Sequence, residues 1–174
     1  MNLFDDPALT AGGVSLRAAC DSDAAFFRAL FETARPDAAV LAAWPAATRQ
    51  AFLDQQFHFQ TVHYARAYPG ADRLVIVKDG APIGRLILAR ELAEWCVIDI
   101  ALLPAWRSTG LGTVLLRCVQ AAAGQARACG VQLTVDMQNP ARRLYERLGF
   151  AVADEAIPNV IMVWLTPAAQ LKTA

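Results

Sequence analysis

The sequence predicts an α/β fold with a mixed sheet, because segments with strand and helix patterns alternate along the chain. In its middle, two runs rich in branched aliphatic residues flank a Lys-Asp-Gly turn, as in RLVIVKDGAPIGRLILARE. Apolar residues make up 56% of the 174 positions, which suits one domain with a sizeable core. We therefore expect residues 1–174 to form a single domain.

The first half of the chain predicts a strand, two helices and then three strands. GVSLRAA is the first strand, and DAAFFRALFETA is an amphipathic helix with Asp21 or Ser22 as its N-cap and an end before Pro36. A second helix is expected over residues 45–66, before the turn sequence YPGAD. After the central strand pair, EWCVIDIALLP predicts a third strand that runs into a glycine-containing loop.

The second half continues the alternation. A long helix should follow the loop and extend to Cys129, with Gly130 as its stop. The strand VQLTVDM, a short helix in NPARRLYERL that ends at Gly149, and a last strand near NVIMVWL come next. This order is typical of helices packed on a mixed sheet.

Composition excludes several classes of partner. The chain has 16 basic and 16 acidic residues, whereas nucleic-acid binding normally leaves a basic excess. No apolar run reaches the ~18 residues of a membrane-spanning helix, and MNLFDDPALTAGG lacks the regions of a signal peptide. We expect a cytoplasmic protein that binds neither nucleic acid nor membrane.

The cysteines and histidines indicate no metal site. His58 and His63 are five residues apart, which should place them on different faces of a helix. The four cysteines lie far apart without a C-x-x-C pair, and we expect them to be reduced and buried: Cys20, Cys96, Cys118 and Cys129.

The segment PAWRSTGLGTVLL predicts an anion site. A strand that ends at Pro104, followed by a loop and a helix that begins near Gly112, would point several free backbone N–H groups at one place. Gly110 and Gly112 would let a phosphate approach, and Arg107 could add a charge-assisted contact. No G-K-[ST] follows, and the third glycine of the dinucleotide motif is missing. The alternative is a tight turn whose glycine serves only packing.

A second motif, NPARRLYERLGF, covers residues 139–150. Asn139 should cap the helix and Pro140 should occupy its first position. Leu144 and Leu148 should face the core, while Tyr145, on the neighbouring face, can turn its hydroxyl towards a cleft.

Taken together, RSTGLG and NPARRLYERLGF resemble the signatures of the GNAT superfamily of acyl-CoA-dependent N-acyltransferases. RSTGLG fits the [RQ]-x-x-G-x-[GA] pyrophosphate loop in full, and the flanking segments follow the family order. The resemblance covers residues 83–150, and the two leading helices match by order only. It implies about seven strands with a splayed central pair, between which the pantetheine arm lies like another strand.

The resemblance also implies the cofactor contacts. Backbone groups of Leu102 and Leu103 would bond the pantetheine amides, and Asn139 and Tyr145 would lie near the thiol. Ser108 stands where the family commonly has glycine, which makes one close backbone approach less certain. The backbone that would hold the pyrophosphate belongs to Arg107, Ser108, Thr109, Gly110, Leu111, Gly112 and Thr113.

The activity that the resemblance implies is transfer of an acetyl group from acetyl-CoA to an amine by direct attack, without a metal. The amine, a small molecule or a protein amino group, is unidentified, and the sequence leaves a homodimer open. A catalytically silent CoA-binding or regulatory module on the same fold is the alternative.

Two residues are candidates for proton transfer. Tyr145 matches the position that protonates the leaving thiolate in many relatives, and otherwise it is an aromatic that only packs. Asp99 is the only charge in CVIDIALL. A hairpin centred near Leu92 would place Arg85 directly opposite, so we favour a structural ion pair over a catalytic base. Glu94 and water chains are further candidates for the base.

The acceptor amine is expected to bind against the second helix. Phe52, Gln56, Phe59, Gln60 and His63 recur at intervals of three and four, which makes Gln56, Gln60 and His63 the candidate contacts. An ordinary half-buried helix face is the simpler interpretation of the same stripe.

Overall fold

The computed structural model describes residues 7–35 and 37–173. The strands are β1 (Val14–Ala18), β2 (Asp72–Lys78), β3 (Ala81–Ala89), β4 (Glu94–Leu102), β5 (Gly130–Asp136), β6 (Ala151–Ala156) and β7 (Asn159–Leu165). The helices are α1 (Pro7–Ala11), α2 (Ala24–Thr33), α3 (Ala38–Ala42), α4 (Ala46–Ala67), α5 (Leu111–Gln125), α6 (Arg142–Arg147) and α7 (Pro167–Thr173). Short 3-10 turns precede α2 and follow β4.

The strands form one seven-stranded sheet in the order β1-β2-β3-β4-β5-β7-β6. All neighbours are antiparallel except β4 and β5, which are parallel. These two pair only from Glu94 with Gly130 to Val97 with Leu133. The second half of β4 therefore has no partner on the β5 side, which confirms the predicted mixed sheet with a splayed central pair.

The sheet buries both of its faces. Alternate residues of β3 point to opposite sides, so Leu86 and Leu88 enter the larger core while Ile87 and Ala89 enter a smaller one. The larger core also holds the apolar face of α5. The smaller core includes Tyr64 of α4, so this helix covers the opposite face.

The observed register of β3 and β4, which includes a β-bulge in β4, differs from the predicted hairpin register. The register shifts between Ile87 and Leu88, and Arg85 lies opposite Ala101 rather than Asp99. Asp99 lies opposite Ile87, two residues along the strand on the same face. The prediction was wrong for two reasons. The hairpin is centred between Leu92 and Ala93, since Leu88 pairs with Val97, and the bulge then moves every later pair by one further residue.

The long helix is shorter than predicted. It ends at Gln125, because Arg127 adopts a left-handed conformation with φ 59° that closes the helix without glycine. Gly130 is not the stop; it begins β5, where a Cβ atom would lie 2.4 Å from the carbonyl oxygen of Trp164. The glycine there serves close strand packing, and Cys129 lies in the preceding loop.

The start of α2 also differs from prediction. Neither Asp21 nor Ser22 caps the helix, because residues 21–23 form a 3-10 turn of their own. Asp23 organises this turn, since its carboxylate accepts the Cys20 N–H at 2.9 Å and pairs with Arg17 at 2.6 Å. The short helices α1, α3 and α7 and the edge strand β6 were not predicted.

The cysteines divide into two groups. Cys96 and Cys118 are buried, as expected, but Cys20 and Cys129 are exposed because both lie in loops. All four are free thiols. Among the described residues, no helix combines the length and apolar character that crossing a bilayer requires.

Candidate active site

The loop after β4, residues 107–113, is called the phosphate loop below. Its backbone N–H groups at positions 108–112 find no hydrogen-bond acceptor within the described part of the chain. Gly110 has φ 89°, and a Cβ atom built on it would meet no atom within 4 Å. Ser108 also has a positive φ, 60°. The loop thus offers consecutive free donors beside open space at the N-terminus of α5, which suits an anion.

The side chain of Arg107 anchors this loop. Its Nε donates to the carbonyl oxygen of Leu102 at 2.9 Å. Its Nη2 donates to the carbonyl oxygen of Thr33 at 2.8 Å and to the Thr33 hydroxyl at 3.1 Å. The sequence predicted a phosphate contact for Arg107, but these nitrogens tie the loop to the C-terminus of α2. Nε and Nη2 of Arg107 are thus engaged by other described residues, whereas the backbone N–H groups at positions 108–112 are not.

The open edge of β4 lies next to the phosphate loop. Leu103 donates its N–H to the carbonyl oxygen of Ile83 at 2.9 Å, on the β3 side. Because the backbone groups of successive residues alternate in direction, those of Leu102 and Ile100 point away from β3, into the gap beside β5. Of the two predicted pantetheine contacts, the structure directs Leu102 to the gap and engages Leu103 with β3.

The second predicted motif contributes Tyr145, which is 7% exposed and packs edge-on against Phe150 with ring centroids 6.0 Å apart. Burial, together with the nearby negative charge of Asp99, raises the pKa of Tyr145 to about 12. No described residue forms a hydrogen bond with its hydroxyl. Asn139 is exposed, and its Oδ1 accepts the N–H of Ala141 at 2.9 Å, which stabilises the turn before α6.

Asp99 and Arg85 form a partly buried ion pair. Nε of Arg85 donates to Oδ2 of Asp99 at 2.7 Å, although the two residues are diagonal neighbours across β3 and β4. Arg85 is 6% exposed, and its Nη2 donates to Oε1 of Gln60 at 3.1 Å. The ring of Phe27 lies 5.5 Å from its guanidinium. Glu94, the other carboxylate considered, lies at the opposite, paired end of β4.

A cavity of about 280 Å³ opens beside this pair, between α2, α4 and the sheet. We call it the acceptor cavity; its functional lining consists of Phe31, Arg35, Gln60, Arg85 and Asp99. It lies against the unpaired half of β4, on the face opposite the larger core. Three charged groups therefore surround a small space close to the strand gap.

Helix α4 turns a different stripe towards the protein interior than the sequence predicted. The inward stripe consists of Leu53, Phe57, Gln60 and Tyr64. Burial and the charge of Asp99 raise the pKa of Tyr64 to about 12. Tyr64 follows Gln60 by four residues and therefore lies on the same face of the helix. This spacing could have identified Tyr64 from the sequence.

Of the predicted acceptor contacts on α4, only Gln60 lines the cavity. Gln56 is half-buried outside the lining. His63 is exposed and borders an open groove on the outer side of α4, together with His58 and Phe59. The two histidines thus share one groove instead of facing apart, because the groove covers a wide arc of the helix.

The comparisons assign the family. The Acetyltransferase (GNAT) family matches residues 27–150, which is most of the chain, and the chain therefore belongs to this family. The resemblance found in the sequence is confirmed. A search of curated proteins found no match.

Solved structures share the fold at low sequence identity. The PaiA N-acetyltransferase of Thermoplasma acidophilum in complex with coenzyme A is 15% identical, with a TM-score of 0.66 over 87% of this chain and 98% of that one. The ribosomal-protein-S18-alanine N-acetyltransferase of Escherichia coli is 19% identical, with a TM-score of 0.59 over 87% and 93%. An acetyltransferase of Thermus thermophilus is 18% identical, with a TM-score of 0.62 over 87% and 96%.

Proposed function

We propose that this protein is an N-acetyltransferase that moves the acetyl group of acetyl-CoA to an amine. The observation that carries the proposal is the row of free N–H groups at positions 108–112, with open space beside Gly110. These groups fit the pyrophosphate of coenzyme A. The gap-facing N–H of Leu102 and the backbone of Ile100 fit the pantetheine amides, while the carbonyl oxygen of Leu102 accepts Nε of Arg107. Membership of the GNAT family and a neighbour with bound coenzyme A support the same ligand.

Coenzyme A supplies the activated acetyl thioester, and the chain's own residues handle the protons. The neutral amine attacks the thioester carbon, a C–N bond forms and the C–S bond breaks. The thiolate gains one proton and the amine nitrogen loses one. Tyr145 is the proposed donor to the thiolate, because a tyrosine hydroxyl is protonated at neutral pH and can donate to a thiolate that is held close to it.

Asp99 is the carboxylate whose charge acts on this proposed donor, and its carboxylate is engaged in an ion pair with Arg85. Its carboxylate is bonded to the buried guanidinium of Arg85, so its main role is to fix Arg85 and to hold the amine. The amine proton leaves through water from the open cavity. Asn139, which is exposed and bonded to Ala141, would contribute by fixing the turn before α6 rather than through a direct acyl contact.

Calorimetry with coenzyme A tests the cofactor site. Gly110→Ala should abolish most of the binding and of the rise in melting temperature, because a side chain would occupy the open space and the φ of 89° disfavours any Cβ. Gly124→Ala is the matched control, since this helical glycine also has no atom within 4 Å and lies away from the loop. The control should keep full binding.

The assay for activity is release of the thiol from acetyl-CoA with a panel of amines. Absence of coenzyme A binding at millimolar concentration would refute the proposed function. Binding without turnover of any amine would instead indicate a catalytically silent CoA-binding module.

A further inference from the structure

The charges of the acceptor cavity indicate which class of amine it takes, an inference that rests on the proposed function. At about 280 Å³, the cavity lies close to the lower end of the ~300–1,000 Å³ typical of small-molecule sites. Its charged lining consists of two arginines, Arg35 and Arg85, and one aspartate, Asp99. The cavity therefore suits one small molecule with charges of both signs.

The negative end of the cavity is Asp99. Its Oδ2 accepts the hydrogen bond from Arg85, whereas its Oδ1 accepts none from the described residues. The side chain is 20% exposed, so the second oxygen can receive an N–H group from a ligand. Asp99 also lies on the half of β4 that borders the strand gap, and its negative charge acts on the proposed proton donor, Tyr145. An amine bound here lies near the reacting groups.

The positive end is Arg35, whose guanidinium is bonded along one edge and packed against two rings. Its Nε and Nη2 donate to the two carboxylate oxygens of Asp37, each at 2.7 Å. Its guanidinium lies 5.3 Å from the ring centre of Phe31 and 5.5 Å from that of Phe52. Asp37 is not part of the cavity lining, and Nη1 of Arg35 has no hydrogen bond to a described residue. The cavity thus receives a fixed guanidinium edge with free donors.

We propose that the acceptor is a small amine that carries a carboxylate, with its amine at Asp99 and its carboxylate at Arg35. A guanidinium edge held between aromatic rings binds a carboxylate with charge-assisted hydrogen bonds. Polyamines and other polycations are disfavoured, because their second ammonium would meet the N–H donors of Arg35 instead of an acceptor. A plain alkylamine would fill the cavity but leave the donors of Arg35 without a partner. The product is the N-acetyl amino acid, formed together with free coenzyme A.

Matched substrate pairs test this inference directly. Thiol release from acetyl-CoA is measured with amino acids and with the amines that they become on decarboxylation: β-alanine and ethylamine, γ-aminobutyrate and propylamine, L-phenylalanine and phenethylamine. β-Alanine and γ-aminobutyrate differ in the distance between amine and carboxylate, so they test which spacing fits the two ends of the cavity. In at least one pair, kcat/KM should favour the carboxylate by about tenfold or more. 1,4-Diaminobutane should be a poor acceptor.

A variant pair links that preference to one side chain. Arg35→Gln should lower kcat/KM for the preferred amino acid by about tenfold and remove the difference within its pair. Arg90→Gln is the control, because Arg90 is a partly exposed arginine paired with Asp72 and lies outside the cavity lining. The control should keep the preference. Thermal unfolding checks that both variants are folded, and the wild-type comparison stands without them.

The outcomes separate this inference from the proposed function. Alkylamines that are acetylated as well as their amino-acid partners would overturn the inference and leave the acetyltransferase in place. A preference that survives Arg35→Gln would also overturn it. If the protein binds coenzyme A but calorimetry detects no binding of any of these amino acids to the CoA-loaded protein, the inference alone fails. Loss of coenzyme A binding itself would refute the proposed function first.

Discussion

Replacing Asp99 with asparagine separates a structural role from a catalytic one. The change leaves the guanidinium of Arg85, which is 6% exposed, without its counter-charge at 2.7 Å. Breaking a buried pair in this way typically costs about 3–5 kcal/mol. Gln60 and the ring of Phe27 still contact Arg85, and the Asp99 side chain is 20% exposed, so we expect the lower end, about 3 kcal/mol.

Urea unfolding measures this loss. Asp72→Asn is the matched control, because the pair of Asp72 with Arg90 is more exposed and should contribute at most about 1 kcal/mol. In a background of Arg85→Met, the Asp99→Asn change should cost much less than in the wild type, since no unpaired cation remains. A stable Asp99→Asn protein whose kcat collapses, most strongly at low pH, would refute the structural interpretation and make Asp99 the base.

Two further predictions concern Tyr145, which is buried, and Tyr64, which is partly buried. Tyr145→Phe should lower kcat and leave the affinity for coenzyme A nearly unchanged, because the ring still packs on Phe150 and only the hydroxyl is lost. Equal kcat values for the variant and the wild type would remove Tyr145 from the mechanism. The free energy of unfolding should fall between pH 10 and pH 12, because Tyr64 and Tyr145 have their pKa raised from 10.0 to about 12 and the unfolded chain loses these protons first. Urea unfolding across this range should show a shallower fall for the double variant Tyr64→Phe/Tyr145→Phe, and an unchanged slope would count against buried, protonated tyrosines.

Much of the fold could be predicted because local signals and tertiary structure agree. The runs of branched residues gave β2 and β3, and their turn at Asp79 and Gly80 has positive φ at both positions, as a two-residue hairpin requires. The loop between β4 and α5 could be predicted for the same reason, since its glycines and its place after a strand are local features. The end of α5 could not, because Arg127 occupies a conformation that sequence patterns assign to glycine.

The acceptor cavity could not be predicted, because the features that form it leave no pattern in the local sequence. The bulge in β4 places both Ile98 and Asp99 towards α4, while Ile100 returns to the larger core. Strict alternation would put Asp99 and Ile98 on opposite faces. The orientation of α4 was likewise set by its tertiary partners, since its own apolar pattern is weak. Arg35 was missed because the segment between two helices carries no periodicity.

Helix α2 connects the phosphate loop to the acceptor cavity. Its C-terminal residue, Thr33, receives Arg107 of the phosphate loop, and its ring Phe31 lines the cavity. Phe27 of the same helix lies over Arg85, which in turn holds Asp99. A shift of α2 would therefore move the anchor of the loop and the wall of the cavity together. In the proposed reaction, Arg107 would thus position the two substrates relative to each other through Thr33, while the backbone of the phosphate loop would bind the phosphates.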